Sequence, residues 1–520
     1  MMPFYQITEK RYSTFRTGQP STGHLTFLNI PLTSTRVLSI LRGRRKEGLF
    51  AKGRFPHNDH QTFEEIDMPN ILLIGNGARE HAIAEAIARS KQNPSLLSWM
   101  KSNNPGIASL SRKIQIGSYS DLAAVTSFAR ENKIDFAVIG PEDPLNNGVV
   151  DALAKIGVPA VGPNQSLARL ETSKSFTRDL VGKYRIPGNP QYRVFTSMNG
   201  VKDFLNSLDA VVLKPDGLTG GKGVLVQGDH FVTKDEALSL CAQILKDSDS
   251  VIVEEKFDGE EFSLQCLCDG KTVVGTPLVQ DHKRRFDGDQ GPNTGGMGSY
   301  SLPDHSLPFL KLSDIEEGLE ITRRVAAALW EETGSPYKGV MYGGFIATKN
   351  GARLLEYNAR FGDPEAMNIL PLLKTDFVDV CKHIINGTLD QLNIEFEKKA
   401  TVCKYVVPKG YGLPAGHPDA ASSKARIEVG DTGKARLYYS SVDQRDDGLY
   451  LSSSRAIGIV GIADNLDEAR KIAEVGVKAV KGPVAYRADI GTDELIQKRI
   501  DHMKKIRMPS KEYTRVQIKP

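Results

Sequence analysis

Apolar and polar positions along this chain fall into three successive regimes. In the first, short unbroken apolar runs alternate with windows of helical periodicity. Ile71-Leu72-Leu73-Ile74 is such a run, as a strand buried on both faces requires. The pattern predicts helices over 82–90, 121–132 and 149–156, a strand over 134–139 and a short strand over 159–161. Such alternation is that of an open parallel βαβ array, which binds ligands outside the carboxyl ends of its strands. Residues 140–145, with Glu142 and Asp143, are expected as a loop at one of those ends.

The second regime mixes periods. A helix carrying Lys174 is predicted over 170–184, ended by Ile186-Pro187-Gly188, and a small α+β unit over 195–226. A buried strand over 251–255 turns acidic at Glu254 and Glu255. Residues 262–269 alternate as a strand does, and 340–348 with 352–358 read as an antiparallel pair joined through Lys349-Asn350-Gly351. After Asn386-Gly387 the third regime consists of short strands and turns, then a helix over 466–480. It reads as a separate α+β domain without an obvious catalytic cluster. The fold class is therefore α/β and α+β, in several domains.

One stretch of the second regime points to chemistry. Val211 to Leu213 and Val224 to Val226 are β-formers, and between them lie Lys214, Gly217, Gly220, Gly221, Lys222 and Gly223. Glycines let backbone N–H groups approach an anion, and two lysines can neutralise phosphate oxygens. The plain alternative is a hairpin with a flexible tip and solvated lysines. The spacing is not that of a P-loop, since the turn leads into a strand. After the first strand, Gly75-Asn76-Gly77-Ala78-Arg79-Glu80-His81 resembles a dinucleotide turn, but Glu80 stands at the third glycine and no acid follows about 20 positions on. A phosphorylated substrate suits this turn better than NAD, with Arg79 adding a fork of donors.

Residues 280–298 hold acids, a histidine, cations and glycines within a few positions, including Asp281, His282, Lys283, Asn293, Thr294 and Gly295. The stretch reads as a loop too polar to build a core, able to bind both a carboxylate and an amine. His282 is a candidate general base, although a loop histidine is more often a hydrogen-bonding residue. Glu356 and Asn358 lie two apart on a predicted strand and so share a face, with Leu355 and Tyr357 turned into packing. A carboxylate and an amide oxygen suit Mg²⁺ completed by phosphate and water. Asp363-Pro364-Glu365 reads as N-cap, N1 and first turn of a helix.

The net charge is +4 with no dense basic stripe in the body, so nothing calls for nucleic acid. No apolar run is long enough to span a bilayer. Five cysteines without a CxxC pair suit a reducing compartment and argue against disulfides or structural zinc. Residues 1–67 differ from the rest, being rich in arginine, with Arg42-Gly43-Arg44-Arg45-Lys46 as the densest cluster. They are expected to be disordered, either as an organellar transit peptide or as sequence upstream of a start at Met68.

Taken together, the first-strand turn, Lys214-Pro215-Asp216-Gly217 with Gly220-Gly221-Lys222-Gly223, Gln280-Asp281-His282-Lys283-Arg284, residues 291–298 and Glu356-Tyr357-Asn358-Ala359-Arg360-Phe361-Gly362-Asp363-Pro364-Glu365 resemble the glycinamide ribonucleotide synthetase (phosphoribosylamine–glycine ligase) family of ATP-grasp ligases. The resemblance covers residues 68–507. Departures are small: Ala78 and Pro215 replace a common glycine and alanine. It implies a βαβ substrate domain over 68–168, a two-lobed ATP-grasp core over 169–392 with a flap over about 190–257, a C-terminal α+β domain over 393–507, and a tail over 508–520. It further implies ATP, Mg²⁺ or Mn²⁺, and the substrates glycine and 5-phosphoribosylamine. Asp281, Lys283 and Arg360 would be catalytic. Lys174, Lys214, Gly220, Gly221, Lys222, Gly223, Glu254 and Glu255 would hold the nucleotide. Gly75, Gly77, Arg79, Glu80, Asn293, Thr294, Gly295 and Asp363 would bind substrate, and Glu356 and Asn358 the metal. The expected protein is a monomer, cytoplasmic unless residues 1–67 direct it to a plastid or mitochondrion. The rivals are another ATP-grasp enzyme with a different carboxylate, an NAD-dependent oxidoreductase and a non-catalytic nucleotide sensor.

Overall fold

The first apolar run becomes the centre of a sheet. A computed structural model describes residues 68–218, 223–414 and 416–508. The arginine-rich leader, the tail after Met508, and Gly220, Gly221 and Lys222 of the flap lie outside the described residues. Strands β1 (Asn70–Ile74), β2 (Ser95–Met100), β3 (Lys113–Ile116), β4 (Phe136–Ile139) and β5 (Ala160–Val161) form a parallel sheet ordered β3-β2-β1-β4-β5. Around it lie α1 (Ala78–Ala88), α2 (Pro105–Leu110), α3 (Leu122–Glu131), α4 (Glu142–Asn146) and α5 (Val149–Ala154). Helix α1 begins four residues earlier than its periodicity predicts, because Glu80 reaches back to the Gly77 N–H (2.5 Å) and closes a capping box. The expected loop at 140–145 contains α4 instead, with Glu142 and Asp143 in its first turn, where acids favour a helix.

The predicted helix over 170–184 is two helices, α6 (Gln165–Thr172) and α7 (Lys174–Lys183). Ser173 between them is extended, and its hydroxyl caps Phe176 N (3.2 Å). The flap lobe follows: β6 (Tyr192–Phe195), α8 (Val201–Ser207), β7 (Val211–Pro215), β8 (Leu225–Val226), α9 (Lys234–Asp247) and β9 (Val251–Glu255), with an antiparallel sheet ordered β6-β9-β7-β8. It has an apolar core of its own, which includes Phe195, Leu205, Leu213, Phe231 and Val253. The second lobe is β10 (Gly259–Asp269), β11 (Val273–Gly275), β16 (Lys338–Thr348) and β17 (Gly351–Asn358), ordered β11-β10-β16-β17, with α10 (Leu312–Thr333) packed against it. The Asn-Gly signal holds, with Thr348 paired to Gly351 at φ +90°.

Residues 280–298 are not a loop outside the core. They form β12 (Gln280–Asp281), β13 (Arg284–Phe286), β14 (Gln290–Asn293) and the start of β15 (Gly298–Ser301). Helices α11 (Glu365–Ile369) and α12 (Phe377–Asn386) follow β17. Then come β18 (Ala400–Pro408), β19 (Arg426–Val429), β20 (Arg436–Tyr439), β21 (Val442–Arg445), β22 (Gly448–Leu451), β23 (Ile457–Ala463), α13 (Leu466–Ala479) and α14 (Asp493–Arg507). The sheet of this last region extends beyond it. Its β18 pairs with β15 in one sheet ordered β12-β15-β18-β23-β20, and α14 packs back on β10 and β16. None of the helices among the described residues is long and apolar enough to cross a membrane.

Candidate active site

In the flap lobe, Val212 pairs with Glu254, and Lys214, two residues on from Val212, emerges on the same face as Glu254. Lys214 Nζ lies 2.7 Å from Glu254 Oε2 and donates to Leu355 O at 3.1 Å. Arg178 of α7 grips the same carboxylate, Nε to Oε1 at 2.7 Å and Nη2 to Oε2 at 2.9 Å, and also donates to Leu354 O and Leu355 O. Burial pushes the Glu254 carboxyl up, but Arg178 and Lys214 outweigh it and hold it at about 2. Glu254, expected from sequence to face the nucleoside, is held in an internal ion triad with Arg178 and Lys214. Glu255 points to the opposite face and accepts from Gln191 N at 2.8 Å, so the two acids do not act together.

Lys174 heads α7, its N–H bonded to Asp216 (2.7 Å) and its Nζ to Gly217 O (2.6 Å). Burial lowers the pKa of Lys174 despite Glu356 and Asp216, and that of Lys214 despite Glu254. Each side of the Lys214–Glu254 contact is thus shifted downward. The carboxylate has two cations around it, whereas for Lys214 burial and the nearby Arg178 outweigh Glu254 and the weaker pull of Glu356. Both lysines are short of negative charge, which an arriving phosphate would supply. Gly223 is half-buried at the entry to β8.

Across from these lysines, β17 carries a bulge. Gly344 pairs with Glu356 and Phe345 with Leu354, which leaves Leu355 extra. Leu355 is therefore half-exposed rather than packed, and its carbonyl serves Arg178 and Lys214. Tyr357 does turn inward, sharing a hydrogen bond with Thr322 (2.9 Å). Glu356 is ionised more readily than usual: burial opposes it, but Lys283, Lys214, Lys174 and Arg360 prevail. Lys283 Nζ stands 3.9 Å from Glu356 Oε1 and 3.4 Å from Glu261 Oε2. Asp281 is pushed the other way, by burial and then by Glu365. Lys174 and Lys214 thus lie within electrostatic reach of Glu356, and Lys214 bonds the carbonyl of its neighbour Leu355. Among the described residues no three His, Cys, Asp or Glu side chains group to hold a metal by themselves. Glu356 and Asn358 offer two hard oxygens, a donor set that fits a cation completed by phosphate and water.

His282 does not belong to this cleft. Its ring is buried beside Tyr300 (centroids 5.9 Å apart), and neither nitrogen has a hydrogen-bond partner among the described residues. Burial, Arg487 and Arg499 hold its pKa at about 3, so His282 is a neutral packing residue, neither the candidate base nor the hydrogen-bonding residue its loop-like sequence suggested.

The third wall is the turn before α1. Gly75, at φ +139°, packs on Glu80, where any side chain would collide (2.3 Å). Glu80, expected to bind substrate, spends its carboxylate on Gly77 N and Arg79 Nε. Arg79 is buried and also donates to Phe361 O (3.1 Å). Arg360 meets Glu171 at 2.8 Å and Glu142 at 3.5 Å, and burial's upward push on Glu142 is overcome by Arg360 and Arg79, which hold it at about 2. Asp363 caps no helix, since α11 follows Pro364 with no side-chain cap. Its Oδ1 instead accepts from Tyr405 (2.5 Å) and its Oδ2 lies 3.2 Å from Arg455. A side chain on Gly77 would come within 3.8 Å of that same Oδ2. Asn293 is half-buried. Thr294 is buried and closes its own turn, donating to Lys283 O (2.8 Å) and accepting from Gly296 N (3.1 Å). Gly295 N donates to Tyr411 Oη at 3.2 Å.

Residues 69–171, 172–366 and 401–493 match in turn the N domain, the ATP-grasp (A) domain and the C domain of phosphoribosylglycinamide synthetase. The chain belongs to the phosphoribosylglycinamide synthetase family. A phosphoribosylamine–glycine ligase from Methanococcoides burtonii is 48% identical over 438 residues, 84% of this chain and 100% of the relative. The crystal structure of a phosphoribosylamine–glycine ligase from Thermotoga maritima superposes with a TM-score of 0.67 at 26% identity, covering 81% of this chain and 99% of that one. The biotin carboxylase domain of a Hydrogenobacter thermophilus 2-oxoglutarate carboxylase, at 14% identity and TM-score 0.60 over 84% of this chain and 94% of that one, shares the fold alone.

Within this synthetase family member, sequence reading missed Arg178, Tyr405 and Arg455. Arg178 looks like any helix-surface arginine. Arg455 follows three serines in a turn, and only its burial against Asp363 marks it.

Proposed function

We propose that this chain is an ATP-dependent ligase that joins glycine to 5-phosphoribosylamine, giving glycinamide ribonucleotide, ADP and phosphate in purine biosynthesis. A carboxylate is a poor electrophile. The glycine carboxylate attacks the γ-phosphorus of ATP, ADP leaves, and glycyl phosphate forms. The amine of phosphoribosylamine then attacks the acyl carbon, phosphate leaves and an amide results. Phosphoryl transfer asks the protein for position and charge rather than covalent chemistry.

In this reading Lys174, Lys214 and the flap glycines hold the phosphates. Glu356 and Asn358 would hold Mg²⁺ or Mn²⁺, which when bound neutralises charge on the transferred phosphoryl group. Lys283 and Arg360 draw the glycine carboxylate toward the γ-phosphate, and Asp281 receives the amine. Arg79, Gly77 and the first turn of α1 take the ribose phosphate, which an arginine and free helix N–H groups suit. Asn293, Gly295 and Asp363 line the acceptor side. Closure of the flap excludes water and so protects glycyl phosphate from hydrolysis.

The observation that carries the proposal is that lysines from separate segments meet β17 at Glu356: Lys283 Nζ lies 3.9 Å from its carboxylate and Lys214 Nζ donates to the adjacent Leu355 O at 3.1 Å. Phosphate release measured with glycine and with other amino acids, each with and without phosphoribosylamine, tests it. Release that requires glycine and yields product only with the amine is expected; release indifferent to glycine overturns the proposal in favour of another carboxylate. We place the protein in the cytoplasm as a monomer. An N-terminus at Met68 by mass spectrometry fits that, and one between about 40 and 67 would mean import and cleavage.

A further inference from the structure

Arg455 lies between β22 and β23 of the C-terminal domain. Its side chain is 14% exposed, and its guanidinium is directed at two loops of the ATP-grasp core. Nη1 donates to Gly295 O (2.5 Å), Asp363 O (2.9 Å) and Gly296 O (3.3 Å), and Nη2 lies 3.2 Å from Asp363 Oδ2. The guanidinium sits 4.4 Å over the Tyr405 ring, and the Tyr405 hydroxyl donates to the other oxygen of Asp363. Both oxygens of Asp363 are therefore held from the C-terminal domain. Gly296, at φ +106°, packs so closely on Asp281 that a side chain would come within 2.7 Å of its Oδ1. A side chain on Gly77 would meet Asp363 Oδ2 at ordinary contact distance, 3.8 Å. One guanidinium thus holds Asp363, which borders the N-terminal turn, and the Gly295-Gly296 loop that packs on Asp281. Among the described residues none of its hydrogen bonds reaches Lys174, Lys214 or Glu356.

We propose that Arg455 is a positioning residue for the acceptor half of the reaction. It holds Gly295-Gly296 and Asp363 in register with the turn before α1, where glycine and phosphoribosylamine meet, and leaves the nucleotide side alone. The inference rests on the ligase reading above. A planar fork bonds three carbonyls and a carboxylate at fixed angles, and a lysine keeps the charge but not that geometry.

The test is steady-state kinetics of the full chain and of Arg455→Lys and Tyr405→Phe, together with calorimetric titration of each with MgADP. Arg455→Lys is expected to raise KM for glycine and phosphoribosylamine on the order of tenfold or more, with the MgADP dissociation constant within about twofold of wild type. Tyr405→Phe keeps the ring and removes one hydroxyl, so it shifts the same two constants in the same direction by less. A merely structural role would move nucleotide and acceptor constants together, and that result overturns the inference. So do unchanged constants in folded Arg455→Lys. Should Arg455→Lys fail to fold, Tyr405→Phe decides alone, and unchanged acceptor constants in it overturn the inference. Wild-type phosphate release that ignores glycine would instead overturn the ligase reading, and this inference with it.

Discussion

Replacing Glu254 by glutamine removes the one anion between two buried cations. The side chain is 3% exposed, accepts twice from Arg178 and lies 2.7 Å from Lys214. Two routes give the size of the effect. Burial raises the carboxyl pKa, yet Arg178 and Lys214 bring it from 4.5 to about 2, which by linkage corresponds to about 3 kcal/mol of stability at pH 7. Removing one partner of a buried ion pair strands the other and costs about 3–5 kcal/mol. The routes agree, and Lys214 then stands unneutralised beside Arg178. The sign follows from a folded-state pKa below the unfolded one: the stabilisation is present above pH 4.5 and is lost as pH falls toward about 2. Because the flap lobe has its own core, hydrogen exchange across β7 and β9 reports its opening locally. At pH 7 we expect Glu254→Gln to lower the opening free energy by about 3 kcal/mol. Near pH 3 the gap to wild type should narrow, because the carboxyl of the opened state has by then taken up its proton while the native one has not. A gap under about 1 kcal/mol at pH 7, or one that does not change with acid, would refute the claim that this triad ties the lobe together.

Glu356→Ala should abolish turnover, and retained activity in a phosphate-release assay would remove Glu356 from the metal edge. Lys222→Ala is expected to raise KM for ATP far more than that for glycine; the reverse result would count against the flap as the phosphate cover. His282→Asn should leave the pH profile of kcat unchanged, because a histidine held at about 3 carries no proton to exchange near neutrality. Loss of a kinetic pKa in that variant would restore His282 as a base.

Local pattern was enough wherever an element depends only on its own neighbours. The buried run at Ile71 to Ile74, the Asn-Gly hairpin of β16 and β17 and the shared face of Glu356 and Asn358 were all readable, because strand period and turn chemistry act over a few residues. What failed was any feature whose partner is distant in sequence. The helix over 170–184 breaks at Ser173 because Asp216, 42 residues on from Lys174, takes the Lys174 N–H. Residues 280–298 look too polar to build a core, yet Gly298 pairs with Lys404 and the backbone bonds of that strand are met by a partner from the C-terminal domain.

Residue types and spacing by themselves determined which chemistry to propose for this protein: cations and glycines for phosphate, a carboxylate and an amide for a hard metal. Only the tertiary structure decided which of those groups are free to act. Glu80 and Glu254 read as ligands in sequence, but burial beside Arg79 and Arg178 binds them internally. Arg455 reads as nothing in sequence and becomes the anchor of Asp363. The physical reason is that a buried charge must be paired, and its partner is chosen by the packing of distant segments, which no local pattern records.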